Sequence, residues 1–168
     1  MNSHQRLWRW LGLIFVLSFG ALGFIGYQIH LAAPPIAKVV TTEGEVLYTA
    51  EDIQRGQQVW LSAGGQQMGS VWGHGSYVAP DWTADYLHRE AIFILDEWSH
   101  GKWSKGELSS EERAVFRQRL EDLVRTNTFE ELTGTIGLDT VRVRAFESYL
   151  AHYSDIFTYG SSEYAIQK

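Results

Sequence analysis

The chain has 168 residues, no cysteine, and 14 Lys and Arg against 20 Asp and Glu, for a formal net charge of −6. That length bounds it to one membrane segment and one modest soluble domain. The acidic balance argues against nucleic acid, whose phosphates want a basic face, and against adhesion to anionic lipid beyond an anchor.

The first predicted element is apolar. Trp10 to Ile29 is a run of twenty residues without Asp, Glu, Lys or Arg. At about 1.5 Å per residue it spans roughly 30 Å, the thickness of a bilayer's hydrocarbon core. Gly12, Gly20, Gly23 and Gly26 punctuate it, as glycine commonly does in membrane helices. Arg6, Trp8, Arg9 and Trp10 stand at its start. Basic flanks stay cytoplasmic, so residues 1–9 are expected inside the cell, 10–31 across the bacterial inner membrane, and the rest outside. A cleaved leader is the competing reading, but the run exceeds the 7–15-residue core of such leaders and Pro34-Pro35 follow the only small-residue site. The lack of cysteine is compatible with an oxidising periplasm.

Residues 32–48 read as a linker with a short hairpin. Ala32 to Ile36, AAPPI, is a stiff exit from the membrane. Val39 to Tyr48 holds two β-rich pieces around Glu43-Gly44. Thr49 with Asp52 three residues on predicts a capped helix to Ser62, ended by Gly64-Gly65. Gly56 inside it costs up to about 1 kcal/mol relative to alanine. Gly69 to Pro80 is a loop rich in glycine and aromatics. Asp81 or Thr83 caps a helix to about His100, with Tyr86, Ala91, Ile92, Phe93, Leu95 and Trp98 forming its apolar face. Ser109 and Glu112 cap a helix through Arg125, with Val115, Phe116, Leu120, Leu123 and Val124 expected inward. Thr126 to Leu138 is irregular or a hairpin at Gly134-Thr135. Asp139 or Thr140 starts the last long helix, with Val141, Val143, Phe146, Tyr149, Leu150 and Tyr153 on one side.

The stretch Gly64 to Asp81, GGQQMGSVWGHGSYVAPD, carries most information. A c-type haem needs two cysteines and a following histidine, C-x-x-C-H. Gly65 and Met68 stand at the cysteine spacing and Gly69 at the histidine position. Without cysteine, covalent haem is chemically excluded. The run Asp52 to Ala91, with GQQVW, GGQQ, WGHG, YVAPDW and LHREA in order, resembles the N-terminal region of quinol-dependent nitric oxide reductases. Gly73 to Asp81, GHGSYVAPD, is similar to the loop after the haem motif in the small cytochrome c subunit of the cytochrome-dependent relatives. Tyr164 to Lys168, YAIQK, resembles the family's Y-A-M/I-K-E run.

The resemblance implies a mainly α fold: one N-terminal transmembrane helix, then a haem-free cytochrome c-like helical domain over residues 49–168, with the short β-hairpin before it. It also implies that Gly56 marks the close approach of a second helix. The implied function is the anchor and periplasmic part of an enzyme that reduces two NO to N2O with electrons from membrane quinol, structural rather than catalytic by itself. The b-type haems and non-haem iron are then expected in a following multi-span catalytic part, which with membrane lipid and nearby quinol makes up the partners. The alternative is a single-pass, membrane-anchored extracytoplasmic sensor or assembly module.

Six histidines are present: His4, His30, His74, His88, His100 and His152. A pair of them would suffice for a b-type haem, but none has a diagnostic spacing. Asp81, Asp85 and His88 fall on one helical face, where carboxylates at a helix start ordinarily cap and meet the dipole. In the cytochrome-dependent relatives the loop offers backbone carbonyls toward calcium; the matching positions are Gly75 and Tyr77. Trp72, His74, Tyr77, Trp82 and Arg89 are the candidate interface toward the catalytic part. For Arg89 the choices are a carboxylate or haem propionate elsewhere, or an ion pair within its own chain. For the aromatics the competing reading is core packing.

Overall fold

The computed structural model describes residues 3–33, 35–71, 73 and 80–167. The chain divides into two compact units, Met1–Pro35 and Ile36–Lys168.

The first unit is one helix, α1, Ser3–Leu31. It is long and apolar enough to cross a membrane, with mean hydropathy 1.9 over its best stretch, and its side chains from His4 to Leu31 are exposed. The helix starts a full two turns before the charge-free run and so includes Arg6 and Arg9. Nothing in the sequence stops it there, since leucine, arginine and tryptophan all tolerate helix. Phe15 and Phe19 stack one turn apart at 4.7 Å.

The second unit opens with the expected hairpin. Strands β1 (Lys38–Thr41) and β2 (Val46–Tyr48) pair antiparallel. Gly44 takes the left-handed conformation at the turn, φ 85°. The buried Thr41 hydroxyl accepts the amides of Glu43 and Glu45 and closes it. A second hairpin, β3 (Phe129–Glu130) and β4 (Thr135–Leu138), forms where the irregular or hairpin segment was expected. Strand β4 also lies parallel to β1, a pairing that no local sequence pattern signals, giving one sheet of order β2-β1-β4-β3.

Helix α2 (Ala50–Ser62) begins in the predicted capping box: the Thr49 hydroxyl accepts the Asp52 amide, and the Asp52 carboxylate accepts the Thr49 amide at 2.9 Å. Ala63 and a left-handed Gly64 end it, and a single turn, α3 (Gly65–Met68), follows. The second helix expected against Gly56 is not there: a Cβ on Gly56 would meet nothing within 4 Å among the described residues.

Helix α4 (Trp82–Ser99) is the spine of the unit; α5 (Lys102–Lys105), α6 (Ser110–Arg125) and α7 (Thr140–Tyr159) pack on it. Ile94, Leu95, Val141, Ala145 and Ile156 are buried between and around α4 and α7, and Tyr48 meets Phe146 to tie the sheet to α7. Ile94, fully buried, was not in the expected apolar face of α4. Leu150, expected on the packed side of α7, is exposed.

The inward set expected on α6 is partly overturned. Val115 is 68% exposed and Val124 is also exposed, while Phe116, Leu120 and Leu123 are half-buried. The arginines face the neighbouring helices instead. Arg113 stacks on Trp103 and Arg119 on Trp98, each guanidinium carbon 4.0 Å from the ring centre. Such cation–π contacts bury an arginine's flat face while its edge keeps its hydrogen bonds.

Candidate functional site

The site begins at α3, because the haem-attaching positions fall there. Gly65 lies under the Trp60 indole: a Cβ at 65 would sit 2.2 Å from the ring. Gly69 lies against Trp82, where a Cβ would sit 2.1 Å from Nε1 and 2.7 Å from the Pro80 carbonyl oxygen. Real Cβ atoms do not approach so closely, so glycine at 65 and 69 is required by packing and not by turn geometry. The space next to a would-be cysteine and a would-be histidine holds indole rings. These rings belong to one aromatic cluster. Trp60 meets Phe157 edge-on at 6.0 Å, and Trp82 meets Phe157, Tyr164 and Tyr153 at 5.2, 5.0 and 6.2 Å. The residues present therefore do not fit a thioether-bound haem, in sulfur or in space.

The loop after α3 is closed at its base. The Ser70 amide donates to the Pro80 carbonyl, and the Trp82 amide donates to the Ser70 carbonyl at 2.8 Å. Asp81 completes the clasp. Its Oδ2 accepts the Ser70 hydroxyl at 2.5 Å and the Gly73 amide at 2.7 Å, while Oδ1 accepts the Ala84 amide at 2.8 Å and caps α4. The Ser70 bond, then the backbone amides, hold the Asp81 carboxyl below its ordinary value. Trp72, His74, Gly75 and Tyr77 lie outside the described residues, so the carbonyl set and much of the candidate interface fall there.

One turn further, Asp85 and Arg89 fasten the C-terminal turn. Arg89 Nε meets Asp85 Oδ2 at 2.9 Å, and Glu163 adds a longer contact at 3.6 Å. The Tyr164 hydroxyl bridges the pair, accepting from Arg89 and donating to Asp85, while Tyr153 donates to the same carboxylate at 2.7 Å. Burial pushes the Asp85 carboxyl up, but the bonds from Tyr153, Arg89 and Tyr164 outweigh it and leave it lowered. Burial likewise opposes the Arg89 charge, and Asp85 and Tyr164 more than restore it. Of the sequence candidates, Trp82 stands buried in the aromatic cluster and Arg89 is paired within its own chain. His88 is exposed, so Asp81, Asp85 and His88 do not converge, and no group of three or more His, Asp or Glu is placed to hold a metal among the described residues.

Two further polar features have little signal in the sequence. Glu90, 3% exposed, pairs with Arg142 at 2.7 Å across α4 and α7. Burial disfavours the Arg142 charge, and Glu90 outweighs it. The His152 Nε2 is buried without a hydrogen-bond partner among the described residues. Glu90 sits beside Arg89 in a polar triplet, His88-Arg89-Glu90, and only its place one turn before Ile94 on α4 signals that it points inward.

Clasped loop base, filled attachment turn and aromatic centre define a class: a helical cytochrome c-like domain whose attachment turn cannot hold a haem covalently. The family described as the cytochrome c-like domain of the nitric oxide reductase protein NorB matches residues 36–168. The chain belongs to that family. No curated protein matches it.

Proposed function

We propose that the chain is the anchor and extracytoplasmic part of a quinol-dependent nitric oxide reductase, acting as scaffold and not as catalyst. In this reading α1 crosses the inner membrane with its N-terminus in the cytoplasm, and residues 36–168 cover the outer face of a multi-span catalytic part. That part holds the b-type haems and the non-haem iron. Two NO, two electrons and two protons become N2O and water there. Quinol delivers the electrons within the membrane, so a relay outside it is superfluous.

The observation that carries this reading is the occupation of positions 65 and 69 by the indoles of Trp60 and Trp82. A former attachment turn rebuilt as packed core serves shape, not electron transfer. The lowered carboxyl of Asp81 and the two-sided grip of α4 on loop and C-terminal turn fit the same role, since they fix the surface the domain presents.

The test is purification from native membranes. The chain should co-purify with a polytopic haem protein whose NO consumption is driven by quinol, while the chain purified alone should show no Soret band and consume no NO. NO consumption by the pure, metal-free chain would overturn the proposal.

A further inference from the structure

We propose that the exposed stretch of α2 around Gly56 is the surface on which the remainder of the reductase docks, through an apolar helical segment. The inference rests on the function proposed above. Ile53, Gly56, Val59 and Trp60 fall on one side of α2, at the spacing that lines residues along a helix face. No residue of α2 is buried; Val59 is 60% exposed, and Ile53 is exposed too. Trp60 turns its ring inward onto Gly65 and Phe157, and the half-exposed Phe157 carries the stripe onto α7.

Gly56 is the unexplained member. Its backbone is helical, so no left-handed turn requires glycine. A Cβ there would meet nothing within 4 Å, so no contact among the described residues requires it either. Glycine in a helix interior destabilises, and a notch flanked by exposed apolar side chains is what a closely approaching helix needs.

Three occupants compete. Lipid is disfavoured by charge: Arg6 and Arg9 are the only charges before residue 36, so residues 36–168 carry −8 and repel an anionic surface. A second copy brings the same −8, and a stripe of a few side chains falls far short of the ~800 Å² per partner of a stable free interface. A partner in the same polypeptide or the same tight assembly needs no such area, because tethering sets its effective concentration near ~1 mM. The family describes this domain as part of NorB, and the rest of that protein is such a partner.

The chain has no cysteine, so a single introduced thiol reports its own exposure. Val59→Cys in the full-length chain, labelled with a water-soluble maleimide, should react at least about tenfold more slowly in native membranes holding the whole reductase than in the purified chain, as expected when the covered state holds nine molecules in ten. Leu132→Cys, at a position 95% exposed, should label equally in both. Gly56→Leu added to Val59→Cys should raise labelling in native membranes about tenfold, to the rate of the purified chain, without lowering the Tm of the purified chain. Equal labelling of Val59→Cys in both preparations would overturn the docking face. So would protection produced by lipid vesicles alone, or protection that grows with the concentration of the purified chain. Failure of the unsubstituted chain to co-purify would instead remove the functional reading beneath it, so the two failures are distinguishable.

Discussion

At the scale of single residues, Asp81 does the most. Both its oxygens are engaged, one capping α4 and the other holding Ser70 and Gly73. Asp81→Ala removes the cap and both loop bonds together, so it should lower the midpoint of denaturant unfolding. Amide exchange at Gly73 and Ala84 should accelerate with it. Asp81 and Asp85 also set an acid limit. Both carboxyls are lowered in the native state, so the unfolded chain binds the protons more tightly. Their stabilisation is complete above the unfolded value of about 3.9 and is lost as pH falls through the native values. The Tm should therefore hold steady from about pH 5 to 8 and drop below about pH 4, and the pair Asp81→Asn with Asp85→Asn should flatten the drop. Losing Glu90 strands the charge of Arg142. Removing one member of a buried pair costs about 3–5 kcal/mol; Arg142 keeps a quarter of its side chain in water, so Glu90→Ala should cost about 2–3 kcal/mol. Adding Arg142→Met should recover part of that loss.

At the scale of elements, what was legible in the sequence was what local chemistry writes. The capping boxes at Thr49 and Ser109 bond neighbours three residues apart, and both stand as predicted. The hairpin at Gly44 needs only a left-handed residue between two β-rich pieces. The misses involve partners distant in sequence. Arg113 and Arg119 displaced the valines of α6 because tryptophans on α4 and α5 offered them ring faces, and helical periodicity alone does not register that. Of the site, Trp82 and Arg89 stand out in the sequence, but their partners Tyr153 and Tyr164 lie more than sixty residues away, and no spacing rule reaches so far. Two substitutions separate these kinds of information. Gly56→Ala changes only helix propensity and should stabilise the purified chain by up to about 1 kcal/mol. Tyr164→Phe leaves Asp85 and Arg89 paired but unbridged; it should cost about 1–3 kcal/mol and raise amide exchange across Ser161 to Ile166, the closed C-terminal turn.

At the scale of the whole molecule, the boundary at Ile36 appears twice, as the edge of the second compact unit and as the first residue of the family match. A chain beginning at Ile36 should fold and melt cooperatively at the Tm of the same domain in the full-length protein, read by near-ultraviolet circular dichroism. A melt at lower temperature would mean that α1 contributes to the domain's stability. The sheet carries a different consequence. Its central pair joins Lys38–Thr41 to Thr135–Leu138, segments nearly a hundred residues apart. While the chain is being made, β1 and β2 exist early, yet the edge that β4 will cover stays open until most of the protein has emerged. An uncovered strand edge is a template for the wrong neighbour. Synthesis of this protein thus includes a period of exposure whose length is set by the ribosome, and slowing elongation between codons 48 and 135 should lower the yield of correctly formed protein even though no residue has changed.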